Sequence, residues 1–177
     1  MGTDKDSQPN AYNNNENRSQ HIIRSCTIED LEGVIDVNER ELPEDYPYFF
    51  YKSILDNFPE AFLIAINARG KIAGYVMWRV ERIPAKNSLR LISKGHLVSI
   101  AVSTDSRRKG IASDLLAASM PAIEKSDITE FVLEVRVSNY GAIDLYKNFD
   151  FVVETIKKKY YRDGENAYYM VKKVESE

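Results

Sequence analysis

The chain has 177 residues, a formal net charge of −3 at pH 7 and a single cysteine, Cys26. This length is typical of one domain with its own hydrophobic core. The slightly negative charge argues against a nucleic-acid surface, and no apolar run approaches the roughly 18 residues of a membrane span. The sequence starts without an apolar signal region, and one cysteine excludes an intrachain disulfide, so we expect a cytoplasmic protein.

Residues 1–20 are polar and rich in asparagine, which predicts a disordered tail ahead of one domain over residues 21–177. Apolar periodicity then predicts a strand at HIIRSCTI, helices over residues 30–39 and 48–59, and two strands within AFLIAINARGKIAGYVMWRVERI. A polar loop is expected over residues 84–95. After it the pattern predicts strand, helix, strand, helix and a final hairpin turned at Asp163-Gly164. The order β-α-α-β-β-β-α-β-α-β-β indicates an α/β fold with a mixed central sheet of about seven strands and four main helices on both faces.

The stretch RRKGIASDLLAASM places three cations and a small-residue turn directly before a helical pattern. The first amides of a helix have no intrahelical partner, and the helix dipole is positive there, so this position favours an anion such as a diphosphate. An ordinary helix with a basic first turn explains the same residues, and that alternative stays open. The chain has neither G-x-x-x-x-G-K-[ST] nor G-x-G-x-x-G after a strand, which argues against nucleotide hydrolysis and dinucleotide binding.

The segments around this turn provide a family resemblance. HLVSIAVSTDSRRKGIA followed by LEVRVSNYGAIDLYKNFDF resembles the GNAT superfamily of acetyl-CoA-dependent N-acetyltransferases, whose motif Arg/Gln-x-x-Gly-x-Gly/Ala is met by Arg107, Gly110 and Ala112. LPEDYPY, GHLVSIAV and YYRDGENAYYM further resemble the protein N-terminal acetyltransferase branch, in particular its archaeal members. The similarity covers about residue 21 to the end of the chain and implies a single-domain GNAT fold.

The resemblance implies acetyl-CoA as the co-substrate. Its expected contacts come from the strand before the turn, from the turn with the start of its helix, and from the next helix: Ile100, Ala101, Val102, Arg107, Arg108, Lys109, Gly110, Ile111, Ala112, Ser113, Asn139, Tyr146, Lys147 and Asn148. Asn139 also fits an ordinary helix N-cap, and Tyr146 an ordinary core tyrosine. Both alternatives stay open.

The same resemblance suggests catalytic and substrate-binding residues. Glu44 is expected to act as a general base through a water, with His96 as a second candidate, and Tyr146 to protonate the departing thiolate. Tyr46, Tyr160 and Tyr161 are expected to line the site of the substrate peptide. No metal site is predicted, because His96 and Glu134 alone supply too few ligands.

The implied substrate is the free α-amine of a protein N-terminus, beginning with Ser, Ala, Thr, Gly or Met. An α-amine has a pKa near ~7.8 and a lysine near ~10.4, so only the first is appreciably uncharged at neutral pH. A lysine or small-amine acetyltransferase is the main alternative, followed by a non-catalytic acetyl-CoA-binding module. Expected partners are protein or nascent-chain N-termini, with a ribosome or ribosomal protein as a possibility, but neither nucleic acid nor a membrane.

Overall fold

The computed structural model describes residues 21–85 and 89–175. The tail predicted over residues 1–20 lies outside the described residues. Strands and helices follow in the order β1 (His21–Ser25), α1 (Leu31–Glu41), α2 (Tyr48–Asn57), β2 (Phe62–Asn67), β3 (Ile72–Pro84), β4 (Leu91–Val102), α3 (Ile111–Glu124), β5 (Ile128–Arg136), α4 (Tyr140–Asn148), β6 (Val152–Lys157) and β7 (Ala167–Lys173). This order confirms the α/β prediction made from the apolar periodicity.

The described strands form one seven-stranded sheet in the order β1-β2-β3-β4-β5-β7-β6. Strands β4 and β5 pair in parallel through the α3 crossover, and the other neighbouring strands pair antiparallel. Helices cover both faces, as predicted. The cores show this division: one contains residues of α3 and α4, the other residues of α1 and α2.

The central strands contribute side chains to both cores, because successive side chains of a strand point to opposite faces of the sheet. In β3, Trp78 belongs to the core under α3, whereas Tyr75 and Met77 belong to the core under α1 and α2. These three side chains have no exposed surface. Because both faces of β3 are buried, its sequence is a nearly continuous run of apolar residues.

The loop predicted over residues 84–95 is shorter in the structure. Strand β3 continues to Pro84 and β4 already begins at Leu91, with Ile83 opposite Ile92 in the antiparallel ladder. Apolar periodicity misses this extension because it detects burial, whereas Leu91 is 60% exposed and is held in the strand by backbone pairing. The long hairpin therefore projects beyond the core.

Helix α3 packs unusually close to β4 at Gly95. A Cβ placed on Gly95 would lie 2.5 Å from Ile123 Cγ2 and 3.0 Å from Ile128 Cδ1, so only glycine allows this approach. Gly95 and His96 are also the last β4 residues that pair with β5. The end of α3 is thus fixed where the two parallel strands begin to separate.

Candidate active site

The centre of the sheet opens into a wedge between β4 and β5. Strand β4 pairs with β5 only from Ser93 to His96, whereas its pairing with β3 continues to Val102. Beyond this point β5 pairs with β7 on its other side. Residues 97–102 therefore present a strand edge that no neighbouring strand of the described sheet covers on the β5 side.

A one-residue bulge at Val98 accompanies this opening. Met77 lies opposite Ser99 and Trp78 opposite Leu97, so Val98 is the extra residue of β4. Bulges bend a strand and re-aim its side chains, and they are frequent beside active sites. The Tyr46 hydroxyl donates a hydrogen bond to the Val98 carbonyl over 3.4 Å.

A cleft of about 980 Å³ occupies the wedge. Strands β4 and β5, the α1–α2 loop (residues 42–47), the start of α4 and the β6–β7 turn (residues 158–166) all contribute to its walls. Eight residues predicted for the site line this one cleft: Glu44, Tyr46, His96, Ile100, Asn139, Tyr146, Tyr160 and Tyr161. The proposed catalytic and substrate-binding residues are thus brought together from segments more than one hundred positions apart.

The other predicted residues lie outside this lining. Ala101 is buried in the core under α1 and α2, and Val102 packs at the edge of the opposite core. The remaining residues form the turn before α3, the first turn of α3 or the exposed end of α4: Arg107, Arg108, Lys109, Gly110, Ile111, Ala112, Ser113, Lys147 and Asn148. All of them are predicted to contact the coenzyme, and Arg108 to Ser113 its pyrophosphate.

The turn before α3, here called the Gly110 turn (residues 103–110), leads from the open end of β4 into the helix. Gly110 is the N-cap residue of α3 with φ of 78°, and Arg108 has φ of 62°. A Cβ at Gly110 would meet nothing within 4 Å, so glycine is favoured by its backbone angle and leaves open space. The first helical hydrogen bond joins Asp114 N to Gly110 O at 2.9 Å, which leaves the amides of Ile111, Ala112 and Ser113 for an external acceptor.

The two sides of the cleft are joined by Arg136, at the end of β5. Its Nη2 binds Glu44 Oε1 on the α1–α2 loop at 2.5 Å, and its Nη1 binds Asp163 at 2.7 Å and Glu165 at 2.8 Å on the β6–β7 turn. The guanidinium also lies 4.0 Å from the ring centroid of Tyr161. Burial lowers the pKa of this guanidinium, but its hydrogen bonds to Glu165, Glu44 and Asp163 outweigh burial and raise it, so Arg136 is a permanent cation.

His96 lies between two carboxylates at the base of the wedge. Its Nδ1 is 2.7 Å from Glu81 Oε1 and its Nε2 is 2.6 Å from Glu134 Oε2, and Lys157 Nζ binds the other Glu134 oxygen at 2.5 Å. Burial lowers the pKa of His96, but the hydrogen bonds to Glu134 and Glu81 outweigh it and raise the pKa above the usual value. Burial likewise opposes ionisation of Glu134, yet its bonds to His96 and Lys157 lower its pKa to about 2.

Tyr146 lies on α4 with its ring buried and 6.0 Å from the ring of Phe151 in an edge-to-face contact. Tyr146 lines the cleft, and no hydrogen bond to another described residue contributes to the pKa of its hydroxyl. Burial raises its pKa, so the phenol keeps its proton at neutral pH. Asn139 caps α4, since its Oδ1 accepts from Ala142 N at 3.3 Å, and it also lines the cleft, so both of its predicted roles are compatible.

Aromatic rings border the cleft on two sides. Tyr46 stacks on Phe50 with ring centroids 4.8 Å apart, while Tyr160 and Tyr161 meet edge to face at 5.0 Å. Burial raises the pKa of Tyr46, which therefore remains a neutral phenol. Such rings offer an apolar surface with polar tips, a combination suited to a short peptide.

The described residues contain no group of three or more His, Cys, Asp or Glu side chains placed to hold a metal ion. His96 and Glu134 bond directly to each other. Cys26 lies in the core under α1 and α2, where burial raises the pKa of its thiol to about 12, so it is not a thiolate nucleophile. Within the part of the chain that the structure describes, no helix is long and apolar enough to cross a membrane.

Comparison with known proteins agrees with this geometry. The profile of the acetyltransferase (GNAT) family matches residues 26–151. The chain belongs to this family. Among curated GNAT relatives, an N-alpha-acetyltransferase of Saccharolobus solfataricus is 42% identical over 153 residues, which are 85% of this chain and 91% of that relative. The N-terminal acetyltransferase A complex catalytic subunit ard1 of Schizosaccharomyces pombe is 36% identical over 154 residues, 85% of this chain and 84% of that subunit.

Solved structures give the same assignment. Ard1 from Thermoplasma volcanium superposes with a TM-score of 0.75 at 26% identity, covering 88% of this chain and 99% of that one. The ribosomal-protein-S18-alanine N-acetyltransferase from Escherichia coli reaches 0.70 at 26% identity, covering 89% and 96%. The GNAT fold expected from the sequence is therefore confirmed.

Three residues of this GNAT site were not anticipated: Arg136, Glu81 and Glu41. Arg136 and Glu134 alternate with buried apolar residues on β5, and two charges at positions i and i+2 of a buried strand are a signal that was available. Glu81 gave no such signal, because its contact with His96 depends on how the long hairpin pairs. Glu41 lies at the end of α1 and meets its partners 63 to 66 residues later in the chain.

Proposed function

We propose that this protein is an N-alpha-acetyltransferase that moves the acetyl group of acetyl-CoA to the free α-amine of a protein N-terminus. One observation supports this most strongly: one cleft between β4 and β5 contains Glu44, Tyr146 and the tyrosines, and the open end of β4 that lines it continues into the Gly110 turn. Family membership and the names of its curated relatives point to the same reaction.

The chain's own residues fit acetyl-CoA. Free amides at the start of α3, the positive end of the helix dipole and the open space at Gly110 suit the diphosphate. The uncovered edge of residues 97–102 suits the amide-bearing arm, which would pair with it as an added strand does. When bound there, acetyl-CoA supplies the acetyl group as a thioester. Asn139 would contact it from the wall of the cleft beside α4, and Lys147 and Asn148 from the exposed end of that helix.

Two groups of the cleft would move protons. Glu44 accepts a proton from the attacking amine, through a water, while Tyr146 gives its phenolic proton to the departing sulfur. The amine nitrogen bonds to the acetyl carbon as the carbon–sulfur bond breaks, and exchange with solvent then restores both residues. His96 is less suited to be the first base, because both of its ring nitrogens already bond to carboxylates. It would hold Glu134 and Glu81 in place and accept a proton only after releasing its own.

The charges of the cleft suit an α-amine better than a lysine. Glu44 is paired with Arg136, and Glu134 with His96 and Lys157, and Arg79 and Arg162 also line the cleft, so these two carboxylates are not unpaired charges that would attract a lysine ammonium. About a tenth of α-amines are uncharged at neutral pH, and a weak base suffices for them. Tyr46 and Phe50 border the place of the first side chain, and we expect Ser, Ala, Thr, Gly or Met there.

The partners follow from the substrate. We propose that the protein acts in the cytoplasm on completed or nascent chains, with a ribosomal protein among its substrates. Tyr160 and Tyr161, on the β6–β7 turn, would contact the backbone of the first residues of that chain.

A peptide panel tests the proposal. Peptides that vary in their first two residues, each with a free or a blocked α-amine and one internal lysine, are incubated with acetyl-CoA, and thiol release is followed. We expect activity on free α-amines only. Equal activity on blocked peptides would instead indicate the lysine acetyltransferase, and acetyl-CoA binding without transfer to any peptide would indicate a non-catalytic module.

A further inference from the structure

Glu41, the last residue of α1, is bound to the Gly110 turn by three hydrogen bonds. Its Oε1 accepts from Thr104 N at 2.9 Å, and its Oε2 accepts from Thr104 Oγ1 at 2.8 Å and from Arg107 Nη2 at 2.7 Å. Arg107 in turn donates from Nε to the Val102 carbonyl at 3.2 Å. The Glu41 side chain is only 8% exposed, whereas that of Arg107 is 52% exposed, so Glu41 is the enclosed member of this contact.

This contact joins two functional segments. On one side, Thr104 and Arg107 belong to the Gly110 turn, which is proposed to bind the diphosphate. On the other side, Glu41 directly precedes the α1–α2 loop, which contains Glu44 and Tyr46. The Gly110 turn is therefore linked to Glu44 by the contacts of Glu41 and by three residues of chain.

The hydrogen bonds of Arg107 support its role in linking the acetyl-CoA motif to α1. Arg107 is the first residue of the acetyl-CoA motif, yet its guanidinium binds Glu41 and a strand carbonyl. Its charge is thus used in contacts within the protein, and Lys109 in the same turn donates from Nζ to the Asp105 carbonyl at 3.3 Å. Arg107 thus connects the motif to α1.

We propose that Glu41 is a positioning residue that makes coenzyme binding at the Gly110 turn and peptide binding at the α1–α2 loop favour each other. This inference rests on the proposed function. A bound diphosphate fixes the turn, the turn fixes Glu41, and Glu41 fixes the start of the loop in the arrangement that receives the peptide. Coupling of this kind is reciprocal, so the peptide strengthens coenzyme binding by the same factor.

Calorimetry tests the coupling without requiring turnover. The dissociation constant of the peptide that the wild-type protein acetylates fastest is measured with and without saturating CoA, which has no acetyl group to transfer. We expect the wild-type protein to bind the peptide about 5- to 150-fold more tightly with CoA present, the usual range for coupled sites. In Glu41→Ala this factor falls towards one, and the peptide KM rises more than kcat falls.

Two further variants complete the experiment. Thr104→Val removes the hydrogen bond from Thr104 Oγ1 to Glu41 and changes the shape of the side chain little, so it should lower the coupling factor partially. This variant also tests the coupling if Glu41→Ala does not fold. Glu39→Gln, an exposed position on the same helix, is the matched control and should keep the wild-type factor. A wild-type factor of one, or an unchanged factor in both Glu41→Ala and Thr104→Val, would overturn the inference. Absence of any CoA binding would instead contradict the proposed function.

Discussion

Arg136 Nη2 and Glu44 Oε1 lie 2.5 Å apart, although the residues are separated by 92 positions in the sequence. The same guanidinium binds Asp163 and Glu165. Both walls of the cleft are thus fixed to the end of one strand. Glu44, the proposed general base, is held in place by this cation.

Replacing Arg136 by lysine should therefore impair catalysis while preserving the fold. Lysine keeps one charge but cannot reach the two walls with a planar fork. Hydrogen bonds to charged groups contribute about 1.5–3 kcal/mol, so we expect kcat/KM to fall roughly 10- to 100-fold. Steady-state kinetics measure this. Arg40→Lys, in an exposed ion pair with Asp36, is the control; an equal kcat/KM in Arg136→Lys and wild type would refute the role of Arg136.

Tyr146→Phe should lower kcat without lowering stability. No hydrogen bond to a described residue contributes to the pKa of the Tyr146 hydroxyl, so its removal leaves no partner unpaired, whereas loss of a general acid costs about 10²–10⁴-fold in rate. Tyr51→Phe is the control, because Tyr51 is likewise a buried tyrosine whose hydroxyl has no partner in the described structure, but it lies outside the lining of the cleft. Thermal unfolding and kcat are measured for both. If both variants show the same kcat, Tyr146 is simply a core residue.

Gly110→Ala should weaken coenzyme binding. The positive φ of Gly110 disfavours any side chain by roughly 1–2 kcal/mol, and relief of that strain would turn the amides of the helix start away from the diphosphate. Gly70→Ala imposes similar strain at φ of 73° in the β2–β3 turn, with equal space around it. Titration calorimetry with CoA should show weaker binding for Gly110→Ala only. Equal affinities of the two variants for CoA would show that the Gly110 turn does not bind the coenzyme.

The raised pKa of His96 predicts a pH dependence of stability. A histidine whose pKa is raised on folding stabilises the protein fully below its unfolded value of about 6.5 and loses this contribution as the pH rises through the folded pKa. The difference in unfolding free energy between wild type and His96→Gln should therefore shrink from pH 5.5 to pH 9. Denaturant titration measures it. A constant difference over that range would show that the His96 pKa is not shifted.

Local sequence patterns predicted the fold and brought out many residues that line the cleft. The alternation in β3 and the glycine before α3 are local signals, and both led to correct structural predictions. The contact of His96 with Glu81 was out of reach, because it depends on a hairpin register set by the bulge at Val98. The attachment of Arg107 to Glu41 was equally hidden, since pairing between distant segments leaves no local pattern.

The α-amine assignment is tested most directly by one peptide that offers both a free α-amine and an internal lysine. After reaction with acetyl-CoA, tandem mass spectrometry locates the acetyl group. With little enzyme and a short reaction time, the proposal predicts that the acetyl group lies on the α-amine of the first residue. Acetyl groups mainly on the lysine would contradict it.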